Sequence, residues 1–234
     1  MPFLRTVIAA LALAGVATIA KAAPVTIPTD LNPGDRYRLA FVTENVTGAL
    51  STNIADYNTF VTNEANSSPE LAALDATWAA IASTETITAR DNTGTNPLNP
   101  LHDDVPIYLL TGIRIADSNS DLWDGNIAAP ISVNQLGIAE PLEEAYAWTG
   151  TYWDGTAAFE LGDPEDFPQL GDPAAAGTTW ITSLFKRHLG SPSHMYAISS
   201  TLEAPGQVSE PATLSLIGVG LAGLAGLRQR RLVR

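Results

Sequence analysis

An acidic segment near the middle of the chain carries oxygen-bearing side chains at alternate positions of a short stretch, Asp117–Gly125. Its four candidate ligands are Asp117, Asn119, Asp121 and Asp124. Oxygen ligands at this spacing suit a hard cation such as Ca²⁺, and the segment begins like an EF-hand loop. It departs from that loop at Leu122, where Gly is required, and at Ala128, where a bidentate Glu is required. The pattern therefore leaves two alternatives, a calcium loop of another kind or a turn whose side chains accept from local backbone amides.

A second candidate site is aromatic. Tyr152 and Trp153 precede Asp154 and Gly155, which predict a turn. Burial in the core is the default expectation for a tryptophan. Neighbouring aromatic side chains at a turn cannot easily both point into a core, so a surface platform that stacks on sugar rings is the alternative.

The residues that commonly perform catalysis are few. The chain has three histidines, His102, His188 and His194, and contains neither a G-x-S-x-G nor an H-E-x-x-H pattern. Acidic pairs are numerous, so a glycosidase pair is possible by count alone. The acidic run 163–166 predicts a solvated loop, with a cation-binding patch as the alternative. We therefore predict a protein that is not an enzyme.

The charge and the cysteine content of the chain argue against further classes of function and of site. Six basic and 24 acidic residues between positions 23 and 207 leave this stretch with a net charge of −18. Such a surface repels phosphate backbones, which argues against nucleic-acid binding. The chain has no cysteine, which excludes disulfides, thiol catalysis and cysteine-type zinc sites.

Short elements must position these candidates. Alternating apolar residues predict a strand over 36–43, with Tyr37, Leu39 and Phe41 on one face. Helical spacing predicts a helix over 54–65 and a further turn of helix over 69–73. A buried element over 77–82 and a hairpin of 105–110 with 114–116 follow. After a loop-rich stretch that runs to Gly137, we expect strands at 146–151, 179–181 and 195–199.

The N-terminal 22 residues have the layout of a secretory signal peptide. Arg5 precedes an apolar run over 7–19, and Ala20 and Ala22 form a small-x-small cleavage site. We expect the signal peptidase to leave Ala23 as the mature N-terminus. A retained membrane anchor is the alternative, although thirteen apolar residues are short for a span.

The C-terminus has three consecutive parts. A short motif comes first, an uncharged stretch over 212–227 follows, and an arginine-rich tail over 228–234 closes the chain. As a helix the uncharged stretch would be about 24 Å long, a marginal transmembrane span. The arginines would stay in the cytoplasm. The residues concerned are Val208, Ser209, Glu210 and Pro211 in the motif and Arg228, Arg230 and Arg231 in the tail.

These three parts in this order resemble the PEP-CTERM sorting signal, which is also labelled an ice-binding protein C-terminal domain. The resemblance implies a Gram-negative host, processing by an exosortase, and association with extracellular polysaccharide. The protein would be anchored in the inner membrane before processing, then reach the cell surface or the extracellular matrix. Ser209 replaces the first Pro of the Pro-Glu-Pro motif. An ordinary tail anchor is the alternative.

The central region resembles the C-type-lectin-like fold in its endostatin-like and bacterial forms. The resemblance rests on TWAAIAS, VPIYLLTGIRIADSNSDLWDG, AWTGTYWDGT and HMYAISS. It implies one loop-rich α+β domain over 35–203, with a lead-in at 23–34 and a linker at 204–211. The cysteine pairs of many members are absent, so Trp78, Trp148 and Trp180 must stabilise the core instead. The sugar-binding calcium motifs of true C-type lectins have no counterpart here.

These patterns together predict an exported envelope or matrix protein. Its role would be non-enzymatic binding or structural work associated with exopolysaccharide. The alternatives are a secreted hydrolase that acts on the matrix polysaccharide and a passive surface protein whose only informative chemistry is its sorting tail.

Overall fold

The computed structural model describes residues 23–139, 145–164 and 167–206. The predicted signal peptide, with Ala20 and Ala22, lies outside these residues. The sorting motif, the 212–227 segment and the arginine tail also lie outside them. Within the described residues the fold is a mixture of short helices and strands around one curled sheet, which confirms the α+β prediction at that level.

The sheet has eight strands. They are β1 (Arg36–Val42), β2 (Trp78–Ala80), β3 (Ile107–Leu109), β4 (Arg114–Ala116), β5 (Ala147–Trp148), β6 (Leu170–Gly171), β7 (His194–Ser199) and β8 (Leu202–Glu203). Their spatial order is β4-β3-β1-β7-β5-β6, while β2 pairs with β7 and β8 pairs with β1. Strand β1 runs parallel to β3 and antiparallel to β7, and β5 runs parallel to β7. Strand β7 thus joins the first strand to the late strand that precedes Tyr152 and Trp153.

Strand β1 lies at the centre of the sheet and is buried on both faces. The alternating pattern predicted one buried face, but Arg38 and Ala40 on the other face are buried as well. The Arg38 guanidinium donates to the backbone carbonyls of Thr93, Gly94 and Ser199 at 2.9–3.0 Å. An arginine can be buried here because these carbonyls accept its hydrogen bonds.

The described residues form four α-helices, which are short apart from the first. They are α1 (Ile54–Asn66), α2 (Pro69–Ala72), α3 (Ala89–Asn92) and α4 (Asn119–Leu122). Helix α1 begins where the Asn53 side chain accepts from the backbone amide of Ala55, as an N-cap should. It buries Tyr57 and Val61 against the sheet beside β2. The predicted helices at 54–65 and 69–73 are confirmed within one residue at each end.

The hairpin prediction is also confirmed. Strands β3 and β4 pair antiparallel, and Gly112 at the turn has a φ of +80°, which favours glycine. The strand predicted at 179–181 is wrong, because Thr178–Trp180 form a 3-10 helix. Helices α3 and α4 and strands β6 and β8 were not predicted. Each has two to four residues, too few for a periodic pattern.

Tryptophans fill the core as predicted. Trp78, Trp148 and Trp180 are all buried, and Trp123 joins them. The Trp180 ring lies 6.0 Å from the Trp123 ring and 5.8 Å from the Tyr196 ring, measured between centroids. Burial raises the pKa of Tyr196 well above its usual value. Aromatic packing therefore stabilises the fold without disulfides.

The lead-in predicted at 23–34 is hydrogen-bonded to residues in or next to the sheet. The Val25 amide donates to the Leu110 carbonyl at 2.7 Å, and the Tyr37 hydroxyl donates to the Thr26 carbonyl at 2.6 Å. At the other end of the described chain, Ala204 is buried and its carbonyl accepts from the Gly34 amide. None of the helices formed by the described residues is long and apolar enough to span a membrane.

Candidate functional site

The turn that carries Tyr152 and Trp153 follows β5 and is closed by backbone hydrogen bonds. The Tyr152 amide donates to the Thr156 carbonyl at 2.8 Å, and the Gly155 amide donates to the Tyr152 carbonyl at 3.0 Å. The Asp154 side chain accepts from the Thr156 amide and hydroxyl at 3.0 and 2.6 Å. The turn is therefore held in one shape by its own backbone and by one carboxylate.

Gly155 anchors this turn to the core. Its φ is +81°, and a Cβ at this position would lie 2.7 Å from the Trp123 ring and 3.0 Å from the Arg90 Cβ. The backbone thus lies directly on a buried tryptophan. Glycine is required here for two reasons: it adopts the positive φ without strain, and it has no Cβ that would collide with the Trp123 ring.

Both aromatic side chains of the turn are about half exposed. Tyr152 is 45% exposed and Trp153 is 46% exposed. A Cβ on Gly125 would meet the Trp153 ring at 3.3 Å, so this ring packs over Gly125 while the rest of it faces solvent. Their exposure fits the surface alternative rather than burial in the core, and sugar binding stays a prediction.

Two of the four predicted calcium ligands are engaged at the start of α4. The Asp117 side chain accepts from Arg114 at 2.8 Å, and the Asp121 side chain accepts from the Asp117 amide at 2.7 Å. Hydrogen bonds to Asp117 and then Asp30 raise the pKa of Arg114. A cation at Asp117 would therefore compete with an arginine.

The other two predicted ligands, Asn119 and Asp124, have hydrogen-bond partners of their own. Asn119 is buried, and its side-chain amide donates to the Asp103 carbonyl at 3.1 Å. Asp124 accepts from the Asn126 amide at 2.8 Å, which is an Asx turn. In the part of the chain that the structure describes, no group of three or more His, Asp or Glu side chains gathers to hold a metal. The calcium prediction remains a prediction.

The three histidines lie in separate surroundings. The His102 ring accepts from the Asn96 amide at 3.0 Å, and the His194 ring lies 2.6 Å from the Thr43 carbonyl. The His188 ring packs against Phe167 with centroids 4.8 Å apart. Each histidine thus has a local structural partner.

An acidic cavity was not foreseen as a site. It has a volume of about 280 Å³, and its lining includes Glu85, Glu160 and Asp163 together with Thr52. Only Asp163 had been noted in the sequence, as part of the run 163–166, and residues 165 and 166 lie outside the described residues. The chain brings Glu85 and Glu160 together because Thr84 bridges Leu161, a pairing with no local signal in the sequence.

A second unforeseen feature is a group of rings and cations that we call the basic-aromatic patch. It consists of Tyr146, Phe159, Phe185, Lys186 and Arg187. The Tyr146 and Phe185 rings lie 4.7 Å apart between centroids. Lys186 Nζ lies 3.7 Å from the Phe159 ring centroid, and Arg187 Cζ lies 5.2 Å from that of Tyr146. All of these residues except Phe159 line a cavity of about 350 Å³.

The C-terminal segment is similar to a known sorting motif. No curated protein matches the chain. Residues 207–231 match the PEP-CTERM protein-sorting motif, and the match includes Ser209. The chain therefore carries a PEP-CTERM sorting motif, which indicates an exported protein that is sorted by an exosortase.

Proposed function

We propose that the protein is an exported, non-enzymatic component of the extracellular polysaccharide matrix, with a C-type-lectin-like domain that binds polysaccharide or supports the matrix structurally. The sorting motif over 207–231 supports its export and processing. The order of strand, helix, strand, hairpin and closing strands supports the fold assignment. The uncharged segment 212–227 holds the chain in the inner membrane until the exosortase acts.

The half-exposed platform of Tyr152 and Trp153 is the observation that carries this function. Contact of the apolar Trp153 ring with water is unfavourable. A turn that holds this ring outward therefore favours a partner with an apolar face. The C–H face of a pyranose ring supplies such a surface, and its hydroxyls remain free to bind water. The rigid turn also reduces the side-chain entropy that binding would otherwise lose.

Replacement of Trp153 tests this proposal. We expect the Trp153→Ala variant, purified from the producing bacterium, to be retained less by that bacterium's own matrix polysaccharide than the unmodified protein. Leu101→Ala is the matched control, because Leu101 is exposed and lies on a different loop. Equal retention of the Trp153→Ala variant, with an unchanged melting temperature, would reject the platform as the binding surface.

That Asp121 and Asp124 of the 117–125 segment contribute to a calcium site is a hypothesis, and a turn in which both carboxylates accept from backbone amides is the alternative. Calorimetric titration of the protein with CaCl₂ should give heat, and Ca²⁺ should raise the melting temperature. Asp121→Asn should reduce both effects. If the unmodified protein shows neither heat nor a melting shift, calcium has no role in the fold or in binding.

A secreted hydrolase is the second candidate, and the acidic cavity favours it. Glu85, Glu160 and Asp163 line one cavity, and a pair of carboxyl groups is what glycoside hydrolysis requires. Release of reducing sugar ends from the matrix polysaccharide, abolished in both Glu85→Gln and Glu160→Gln, would establish this function. Absence of release by the unmodified protein would leave the binding role.

A further inference from the structure

We propose that the basic-aromatic patch binds carboxylate-bearing sugar units, so that the ligand is an acidic polysaccharide rather than a neutral one. This inference rests on the proposed association with polysaccharide and names its chemical class. It places the recognition of the carboxylate at Lys186, beside the Tyr146 and Phe185 rings, and involves residues other than Tyr152 and Trp153.

The distribution of positive charge points to this surface. Residues 23–207 contain six basic and 24 acidic side chains. Arg36 and Arg114 form ion pairs with carboxylates, and Arg38 and Arg90 donate to backbone carbonyls. These four cations have structural partners. Lys186 belongs to a consecutive pair of basic residues at the surface, and no carboxylate among the described residues forms an ion pair with it.

The backbone holds the patch in place. Lys186 pairs with Gln169 in an antiparallel bridge, and the Phe185 amide donates to the Ser183 hydroxyl at 3.2 Å. Arg187 donates to the Pro192 carbonyl and to the Ser193 hydroxyl, both at 3.2 Å. The rings and cations are thus positioned before any ligand arrives, which lowers the entropy lost on binding.

The exposure of the apolar groups is unusual for a surface with no partner. Leu184 is 94% exposed and the adjacent Phe185 is 60% exposed. The Phe185 ring packs on Tyr146 at one side and borders the open cavity at the other. One flat aromatic surface therefore remains available beside an ammonium group.

This combination matches a uronate unit. The apolar face of its pyranose ring can stack on Phe185, and its carboxylate can pair with the ammonium of Lys186. A cavity of about 350 Å³ has the size of a small ligand site, large enough for a sugar unit. A neutral sugar would use the ring and leave the cation without an anionic partner. A polyanion that lacks an apolar face would pair with the cation but could not stack on Phe185.

Binding to polygalacturonate, which carries a carboxylate on each sugar, tests the inference. We expect the full-length protein to bind polygalacturonate more tightly than neutral dextran, and added salt to weaken the binding. Lys186→Gln should weaken polygalacturonate binding by roughly 3- to 10-fold, because one charge-assisted contact per site is lost. Lys186→Arg should keep most of the affinity. Phe185→Ala should weaken binding by a similar factor.

Two controls separate this inference from its alternatives. Arg36→Gln changes the net charge by the same amount at an ion pair that is not part of the patch, and it should leave polygalacturonate binding unchanged. Dextran sulfate distinguishes a requirement for carboxylate from a requirement for any anion. Equal weakening by Arg36→Gln and Lys186→Gln, or tighter binding of dextran sulfate than of polygalacturonate, would overturn the inference.

The outcomes also separate this inference from the proposed function. Binding of the native matrix polysaccharide that is insensitive to Lys186→Gln and to salt would refute the acidic-sugar site and leave the proposed function intact. If the protein bound neither the native polysaccharide nor polygalacturonate, the proposed function and the acidic-sugar site would both be refuted.

Discussion

The contact of Gly155 with Trp123 provides the sharpest test of how the core positions the candidate platform. In Gly155→Ala, the new Cβ would lie 2.7 and 2.8 Å from two carbons of the Trp123 ring. Trp123 is buried and its indole N–H donates to the Thr95 hydroxyl at 2.9 Å, so the ring cannot move aside freely. The substitution should therefore displace the turn that carries Tyr152 and Trp153.

Two unfavourable effects add in this variant. A residue other than glycine at a φ of +81° costs about 1–2 kcal/mol. Overpacking of a well-packed site costs a further ~1–3 kcal/mol. Loss of glycine's freedom in the unfolded chain offsets about 0.4–1 kcal/mol. The expected destabilisation is about 1–4.6 kcal/mol. For a domain of this size it lowers Tm by roughly 2–18 °C.

Thermal unfolding followed by near-UV circular dichroism measures this effect, with two matched glycine variants as controls. Gly34 has a φ of +89° but nothing within 4 Å of a new Cβ, so Gly34→Ala reports backbone strain alone. Gly190 also has open space and lacks a positive φ, so Gly190→Ala should be neutral or slightly stabilising. A Tm for Gly155→Ala equal to that of Gly34→Ala would refute the close packing of the turn on Trp123.

Three further variants probe the rest of the domain. Arg38→Met removes hydrogen bonds from a buried cation to three carbonyls and should destabilise the domain by about 3 kcal/mol in urea unfolding; an unchanged midpoint would contradict the buried geometry. Hydrogen bonds from Thr88 and Asn96 hold the pKa of Asp91 below its usual value, so its stabilising contribution is present above the unfolded-state pKa and is lost as pH falls. The difference in urea midpoint between Asp91→Asn and the unmodified protein should therefore shrink from pH 6 to pH 3, and a difference that is constant with pH would be inconsistent with this. Trp123→Phe loses its indole hydrogen bond and should cost about 1–2 kcal/mol by the same assay, whereas no loss would show that this bond contributes nothing.

The elements that the sequence predicted correctly are those with a local signal. Helix α1 has apolar residues at helical spacing and an asparagine cap, and the β3–β4 hairpin has a glycine at its turn. The turn after Tyr152 and Trp153 was predicted from Asp154 and Gly155, and it left surface exposure of the two rings as the alternative to burial. Each of these features depends on neighbours within a few residues, so it can be recognised from the sequence alone.

The features that the sequence did not predict depend on distant partners. Strand β8 has two residues and exists because Leu202 and Glu203 pair with β1. The predicted strand at 179–181 is instead a 3-10 turn that places Trp180 against Tyr196. The basic-aromatic patch joins Tyr146, Phe159 and Phe185 from separate loops, so no local pattern could reveal it. Long-range packing decides such cases, and local propensity does not.

Mass spectrometry of the protein recovered from its producing bacterium would show whether it is exported and then processed at the sorting motif. We predict a mature N-terminus at Ala23 and a C-terminus that lies before Arg228, in material from the cell surface or the medium. An intact chain in the cytosol, from Met1 to Arg234, would contradict it.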